Sequence, residues 1–318
     1  MRIGIDIMGG DYAPVEIVKG AISAHKIIPK DIKLVLFGFQ EQIHKICSEN
    51  NYSPDNFEIV HTTQVIEMHD HPARSFQSKQ ESSIYKGFEY LAQKKIDAFT
   101  SVGNTGAMSV GAIMLIKPIE GIIRPCISTI VPKIDGTNAI ILDVGLNADT
   151  KPEMLLQYGI LGSIYAEEVY GINNPKVALL NIGSEPGKGN IMSQTAYGLL
   201  KEEKSINFVG NVEGSDILRP EVADVVVTGG FTGNVVLKLV ESFYRLLCKR
   251  NINDDYFNKL NFELYGGTPI LGINQPVIIG HGVSKELAVK NLILHSIDVT
   301  KAKMPEKIST RILSEKIM

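Results

Sequence analysis

Short β-branched runs alternate with longer helical patterns along almost the whole chain: RIGID, KLVLFG, FEIVH, DAFTSVG, AIILDVG, KVALLNIG, INFVGNV, ADVVVTGG and QPVIIGHG. A strand followed by a helix and then another strand returns in parallel through a right-handed crossover. The pattern therefore predicts an α/β fold, a largely parallel sheet with helices on both faces. Most of these runs end in Gly, Asn or Asp. In open parallel sheets ligands gather beyond the carboxyl ends of the strands, so the chemistry is expected there. At 318 residues and 44% hydrophobic content the chain can fill a sizeable core. No low-complexity linker or fixed-period repeat interrupts it, which predicts a single α/β domain over residues 1–318 with an interwoven second lobe. The least sheet-like segment is residues 241–267, where Phe243, Leu246, Leu247, Tyr256, Phe257, Leu260 and Phe262 form broken amphipathic stripes. It reads as a short helical insertion that packs on the core or on a partner subunit, with membrane contact as the alternative.

The formal net charge of -3, with both signs interspersed, gives no nucleic-acid footprint. Cys47, Cys126 and Cys248 are scattered without a CxxC pair, which argues against a disulfide framework and a zinc site and fits a reducing cytoplasm. Asp6 interrupts the first apolar run, and no uninterrupted apolar stretch reaches the roughly 18 residues of a membrane span. Neither export nor membrane insertion is expected.

The stretch SVGNTGAMSVGA sets Gly103, Asn104, Thr105 and Gly106 between a strand and a helix. Glycines permit the tight turn, and the first amides of the helix then point at an anion such as phosphate. Plain N-capping by Asn104 or Thr105 accounts for the same residues. The pattern recurs in GGFTGNVV, with Gly233 and Asn234, and in NIGSEPGKGN, with Gly183, Gly187 and Lys188. Repetition at several strand ends suggests one polar site built from several loops. GSEPGKG is not a Walker loop, because only three residues separate Gly183 from Gly187 and Gly189 stands where Ser or Thr must hold magnesium. No GxGxxG follows any strand, which weakens a nicotinamide reading. Lys188 is a candidate for steadying a phosphate or a developing oxyanion, against the plain alternative of a solvated lysine. In AIILDVGLNADTKPEM, Asp149 and Thr150 are placed to cap a helix with Pro152 in its first turn. Asp143 and Asn147 lie deeper in that turn and are the better candidates for orienting a ligand. His61, His69, Asp70 and His71 look like a metal cluster, but no HExxH pattern occurs, so no metal is expected. His281, between Gly280 and Gly282 at the end of an apolar strand, is either a site residue or a satisfied turn histidine.

Taken in order, DIMGGDYAP, SVGNTGA, DVGLNADTKPEMLLQYGILGSIYAE, NIGSEPGKGN, GFTGNVVLK, YGGTPILG and HGVS resemble the acyl-(acyl-carrier-protein):phosphate acyltransferases of bacterial phospholipid synthesis, the PlsX family. The resemblance runs from Met1 to about residue 297. It implies a parallel-sheet fold similar to isocitrate and isopropylmalate dehydrogenases and to phosphotransacetylases, in a homodimer. The implied reaction is reversible transfer of a long-chain fatty acyl group from acyl carrier protein to inorganic phosphate, giving acyl-phosphate for phosphatidic acid synthesis. Phosphate oriented in glycine-rich amide nests attacks the thioester directly, without protein nucleophile, cofactor or metal. Lys188, Asn104 and Asn234 are the candidate oxyanion donors and Asp143 an orienting group. Gly103, Thr105, Gly106, Asn147, Gly183, Gly187, Gly233, Lys79 and His281 complete the expected substrate and phosphate contacts.

Gly229 stands where the family usually has Asp, Gln77 where it often has Arg, and Leu146 where Ala is more usual. Lys79 is thus the surviving cation of its loop, and no acidic role passes to position 229. The insertion before YGG is shorter than in many relatives, so a cytoplasmic protein with at most weak peripheral membrane contact is expected. A downstream glycerol-3-phosphate acyltransferase is a further implied partner, and nucleic acid is not. Two competing functions stay open at this point, a carrier-protein or membrane scaffold without turnover and, on fold relationship alone, an NAD-dependent decarboxylating dehydrogenase.

Overall fold

The computed structural model of the chain describes residues 1–314. They form two compact units, Met1–Pro118 with Phe262–Lys303, and Ile119–Asn261 with the segment that starts at Met304. Numbered along the chain, β1 (Arg2–Asp6), β2 (Lys33–Gly38), β3 (Glu58–His61) and β4 (Ala98–Ser101) belong to the first unit. β5 (Cys126–Pro132), β6 (Asn138–Leu142), β7 (Lys176–Leu180), β8 (Asn207–Val212) and β9 (Val225–Val227) belong to the second. β10 (Thr268–Leu271) and β11 (Val277–Ile279) return to the first.

In the first unit the strand order is β3-β2-β1-β4-β11-β10, and only the β10–β11 pairing is antiparallel. Near-continuous apolar strands signal burial on both faces, and the alternation of side chains sorts them. Ile3, Ile5, Leu34 and Leu36 face a core shared with α1 (Val15–His25), α2 (Gln40–Glu49) and α10 (Glu286–Lys301), which contribute Ile17, Ile22, Ile43, Val289 and Leu292. Phe37 and Phe99 point the other way. They stack edge-to-face at 5.9 Å, and Phe99 meets Phe88 of α4 (Ser83–Ala92) at 5.2 Å. On α3 (Pro72–Ser78), Phe76 extends this aromatic row, its ring 5.9 Å from that of Phe88. Burying such rings contributes about 1.5–3 kcal/mol each by area removed from water. The expectation of a mostly parallel sheet covered on both faces is met here.

In the second unit β6, β9, β7 and β8 run parallel in that order, and β5 adds antiparallel to β6. α6 (Pro152–Tyr170) lies on β6, β9 and β7, close enough that a Cβ at Gly162 would stand 2.5 Å from Val225. α7 (Ile191–Glu202) packs beside it, and α11 (Met304–Ser314) is tied to its end by Arg311–Glu167 and Lys307–Glu168 pairs, each 3.1 Å. Within residues 241–267 the helical parts are the second half of α8 (Gly230–Lys249) and the single turn α9 (Asp255–Asn258). α8 starts earlier than its stripe suggests, directly from the glycine turn after β9.

β5 and β10 are strands that the run-by-run reading of the sequence does not identify. Both are antiparallel hairpin partners, of β6 and β11 respectively. Among the described residues no helix is long and apolar enough to cross a membrane.

Candidate functional site

In the first unit β1, β4 and β11 are parallel neighbours, so the loops that follow them emerge side by side. Gly280 donates to the Ser101 carbonyl at 2.9 Å and Asp11 to the Gly282 carbonyl at 2.8 Å, which laces the three loops together. At their centre stands the turn before α5 (Thr105–Gly111). Asn104 is its N-cap, with Oδ1 accepting from the Ala107 amide at 3.0 Å. The Asn104 side-chain amide donates to the carbonyls of Glu67 at 3.0 Å, Met68 at 3.3 Å and Asp70 at 3.1 Å. Both of its hydrogens are therefore committed to the 67–70 loop. Lys79 braces that loop, donating to the Val65 carbonyl at 2.8 Å and pairing with Asp70. The hydrogen bond from Lys79 is the main cause of an Asp70 carboxyl held below the usual range. Pro72 closes over Gly106, where a Cβ would lie 2.4 Å from its ring. Thr105 is exposed at the head of the helix. His281 is half-buried, its ring 4.6 Å from that of Phe262, and its carbonyl accepts from Ser284 at 3.0 Å.

Asp6 and Ser101 belong to this cluster and were not singled out from the sequence. Asp6 is fully buried at the end of β1 beneath Gly9 and Gly103. The available signal was a carboxylate closing a buried strand just ahead of a Gly-Gly pair.

In the second unit the parallel neighbours are β6, β9 and β7. Asp143, fully buried after β6, gathers the amides of Ile127 at 3.0 Å, Gly145 at 3.3 Å, Leu146 at 3.1 Å and Asn147 at 2.8 Å. The Asn147 side chain donates to Asp143 at 3.0 Å, to the Pro125 carbonyl at 2.8 Å and to Tyr158 Oη at 2.9 Å. Burial pushes the Tyr158 phenol well above its ordinary pKa, so it stays protonated and available to this network. The first turn of α8 is laid directly on the loop: a Cβ at Gly233 would stand 2.0 Å from the Asp143 carbonyl, and one at Gly230 would stand 2.6 Å from its carboxylate. Asn234 donates to the Val144 carbonyl at 3.1 Å. Asp143, Asn147, Gly233 and Asn234 are thus brought into one cluster.

Gly183, Gly187 and Lys188 sit in a separate loop after β7, tied through other residues. Asn181 donates to the Lys188 carbonyl at 3.1 Å, Asn211 to that of Glu185 at 2.8 Å, and Gln194 to that of Gly187 at 2.8 Å. Lys188 is exposed, its ammonium 3.7 Å from Glu185. Its stem covers Gly183, where a Cβ would lie 2.9 Å from Lys188 Cγ.

The histidine-rich segment has local duties, since His71 caps α3 by accepting from the Arg74 amide at 3.5 Å while Asp70 serves Lys79. Among the described residues no group of three or more His, Cys, Asp or Glu is placed to hold a metal ion. A cavity of about 400 Å³ opens in the second unit among Lys133, Asn138, Tyr170 and Asp224, at the amino ends of β6 and β9 and away from the loops described above. Its Lys133 is held by the carbonyls of Pro220 and Ala223 and by Asp224.

The chain is similar to known proteins in sequence and in fold. A family model described as fatty acid synthesis protein matches residues 1–250. A protein named phosphate acyltransferase from Dictyoglomus turgidum is 42% identical, with 97% of this chain and 96% of the relative covered. Another of that name from Halothermothrix orenii is 42% identical over 92% of this chain and 93% of the relative. Among solved structures, a phosphotransacetylase from Streptococcus pyogenes superposes with a TM-score of 0.64 at 14% identity, covering 95% of this chain and 94% of that one. A 4-hydroxythreonine-4-phosphate dehydrogenase from Klebsiella pneumoniae gives 0.57 at 12% identity over 94% and 98%. The structural likenesses establish the α/β fold alone. With a family model matching residues 1–250 and relatives aligned over nearly the whole length, the chain belongs to the fatty acid synthesis protein family, together with the phosphate acyltransferases it resembles.

Proposed function

We propose that this chain is an acyltransferase that moves a long-chain fatty acyl group from acyl carrier protein to inorganic phosphate. The observation that carries the reading is the near full-length identity to phosphate acyltransferases, in a chain whose glycine turns stand at the carboxyl ends of parallel strands. Phosphate sits at the Gly103–Gly106 turn, where the amides of Thr105 and Gly106 lack intrahelical partners. One phosphate oxygen attacks the thioester carbonyl carbon, the carbon–sulfur bond breaks, and the carrier's thiolate leaves. The chemistry as written needs no protein nucleophile, cofactor or metal. Orientation of the phosphate and stabilisation of the tetrahedral oxyanion are the protein's contributions.

On this reading the candidate residues have two sorts of role. Asn104 and Lys79 spend their donors on the 65–70 loop, so they act as positioning residues for the turn. Asp143, Asn147, Gly233 and Asn234 fix the α8 N-terminus in the same way. Lys188, on an exposed loop, is the candidate cation for the oxyanion, and His281 flanks the phosphate turn through its neighbour Gly280. The working assembly is a homodimer in the cytoplasm with weak peripheral membrane contact, passing acyl-phosphate to a glycerol-3-phosphate acyltransferase.

The deciding experiment incubates the purified protein with palmitoyl acyl carrier protein, with and without inorganic phosphate. Thiol release and hydroxylamine-trappable product are followed together. Release that requires phosphate and yields trappable acyl-phosphate is expected. Carrier binding without turnover would instead favour a scaffold.

A further inference from the structure

We propose that Asp6, acting through Ser101, is a positioning residue that fixes the phosphate-binding turn; the inference rests on the phosphate acyltransferase reading. The carboxylate lies at the carboxyl end of β1 and is fully buried. Oδ1 accepts from the Met8 amide at 3.0 Å, and Oδ2 accepts from the Ser101 hydroxyl at 2.6 Å. Ser101 Oγ in turn accepts from the Gly103 amide at 2.8 Å. A continuous relay therefore runs from a charged side chain on one strand, through the last residue of the neighbouring strand, into the backbone of the turn. Gly9 and Gly103 allow the close approach: a Cβ at Gly9 would stand 2.3 Å from Asp6 Oδ2 and 2.6 Å from Gly103 Cα.

The direction of the relay depends on the carboxylate. A serine hydroxyl is a rotor that both donates and accepts. An acceptor-only partner pulls the Ser101 proton inward and leaves the oxygen's lone pairs for the Gly103 N–H. An amide in the same place would present NH₂ to Ser101 while its oxygen kept the Met8 amide. Ser101 would then receive two donors and have to turn its own proton away, and the turn would loosen. Burying a carboxyl among amides and hydroxyls is costly, and desolvation indeed holds the Asp6 pKa above its ordinary value against the opposing hydrogen bonds of Ser101, Ser83, Met8 and Gly9. A cheaper residue would serve if packing were the only requirement.

Asp6→Asn is nearly isosteric and is the primary variant; Ser101→Ala and the double variant complete a cycle. The expected result is a phosphate KM raised about tenfold or more in each single variant, the scale of losing one charge-assisted hydrogen bond. The KM for the acyl donor and the melting temperature of Asp6→Asn should stay near those of the parent. The double variant should be no worse than Ser101→Ala, because the two side chains act in series. An unchanged phosphate KM, an equal rise in both KM values, or full additivity would overturn the relay. If the parent shows no phosphate-dependent turnover, the acyltransferase reading fails by itself. Calorimetric titration with inorganic phosphate then reads the relay separately: weaker binding in Asp6→Asn than in the parent supports it, and equal or absent binding in both overturns it.

Discussion

The Lys188 ammonium sits 3.7 Å from Glu185, with about half of its side chain in solvent. A pair this exposed contributes at most about 1 kcal/mol to folding, so removing the lysine should leave stability almost untouched. Its proposed task is different in kind, because a cation on a developing oxyanion acts only in the transition state. Lys188→Ala is therefore expected to lower kcat by about 10²-fold while thermal unfolding is unchanged. A near-parental rate in the folded variant would remove Lys188 from the reaction. Asp143 and Asp6 are legible to very different degrees. Asp143 follows an unbroken apolar run and precedes Gly and Asn, so its place beyond a strand end can be read directly. Asp6 closes a similar run, yet its task depends on Ser101, 95 residues away, and no local spacing announces such a partner. Asn104 shows the same limit: the sequence displays an amide in a turn, whereas its hydrogens are spent on carbonyls more than thirty residues earlier.

At the scale of elements, parallel strands followed by helices are easy to find because each carries its own apolar run and its own glycine stop. The hairpin partners are harder. β5 reads CISTIVP, a run diluted by Ser, Thr and Pro, and its informative neighbour is the Asp135-Gly136 pair that turns the chain into β6. There the Lys133 amide donates to the Thr137 carbonyl at 2.7 Å and Gly136 adopts φ +87, a conformation glycine takes without strain. An Asp-Gly pair between two apolar runs is a hairpin signal, and giving it weight would have recovered β5. Helix α10 carries a consequence that the sequence does not display. His295 lies along its length, only partly exposed, and desolvation pushes its pKa down to about 4 from the ordinary histidine value of 6.5. The neutral ring is thus favoured in the folded chain, while the unfolded chain takes up a proton more readily. Stability is intact above about pH 6.5 and falls as pH drops toward 4, by up to about 3 kcal/mol. Urea midpoints measured from pH 7 to pH 4 should show this acid limb, and His295→Gln should flatten it. An equally steep limb in the variant would assign the loss to other groups.

At the scale of the whole molecule, strand order is the least legible property. Thr100 of β4 donates to the Ile278 carbonyl of β11, 178 residues later, and nothing local in either segment encodes that pairing. Such long-range pairings assemble the first unit from two separated stretches of chain, and composition alone does not reveal them. The same applies to the face of α8. Phe231, Val235, Leu239, Phe243 and Leu246 recur at steps of three and four residues and all are exposed, Phe231 and Leu239 to about 70%. By rise per residue the stripe is roughly 22 Å long, enough for a helix of a second copy to lie along it. A continuous apolar stripe of this kind is costly in water and is relieved by association. For the proposed homodimer it is the face to bury, and a two-fold pairing would let each copy cover the other's stripe. Sedimentation equilibrium should then give a mass near twice 34.9 kDa, about 70 kDa. Leu239→Glu, which places a charge at mid-stripe, should shift the population to the single-chain mass while leaving the secondary-structure signal intact. A parent that sediments at the single-chain mass would refute the dimer. A Leu239→Glu variant that stays dimeric would move the interface off α8, and the stripe would then be the surface to test against lipid.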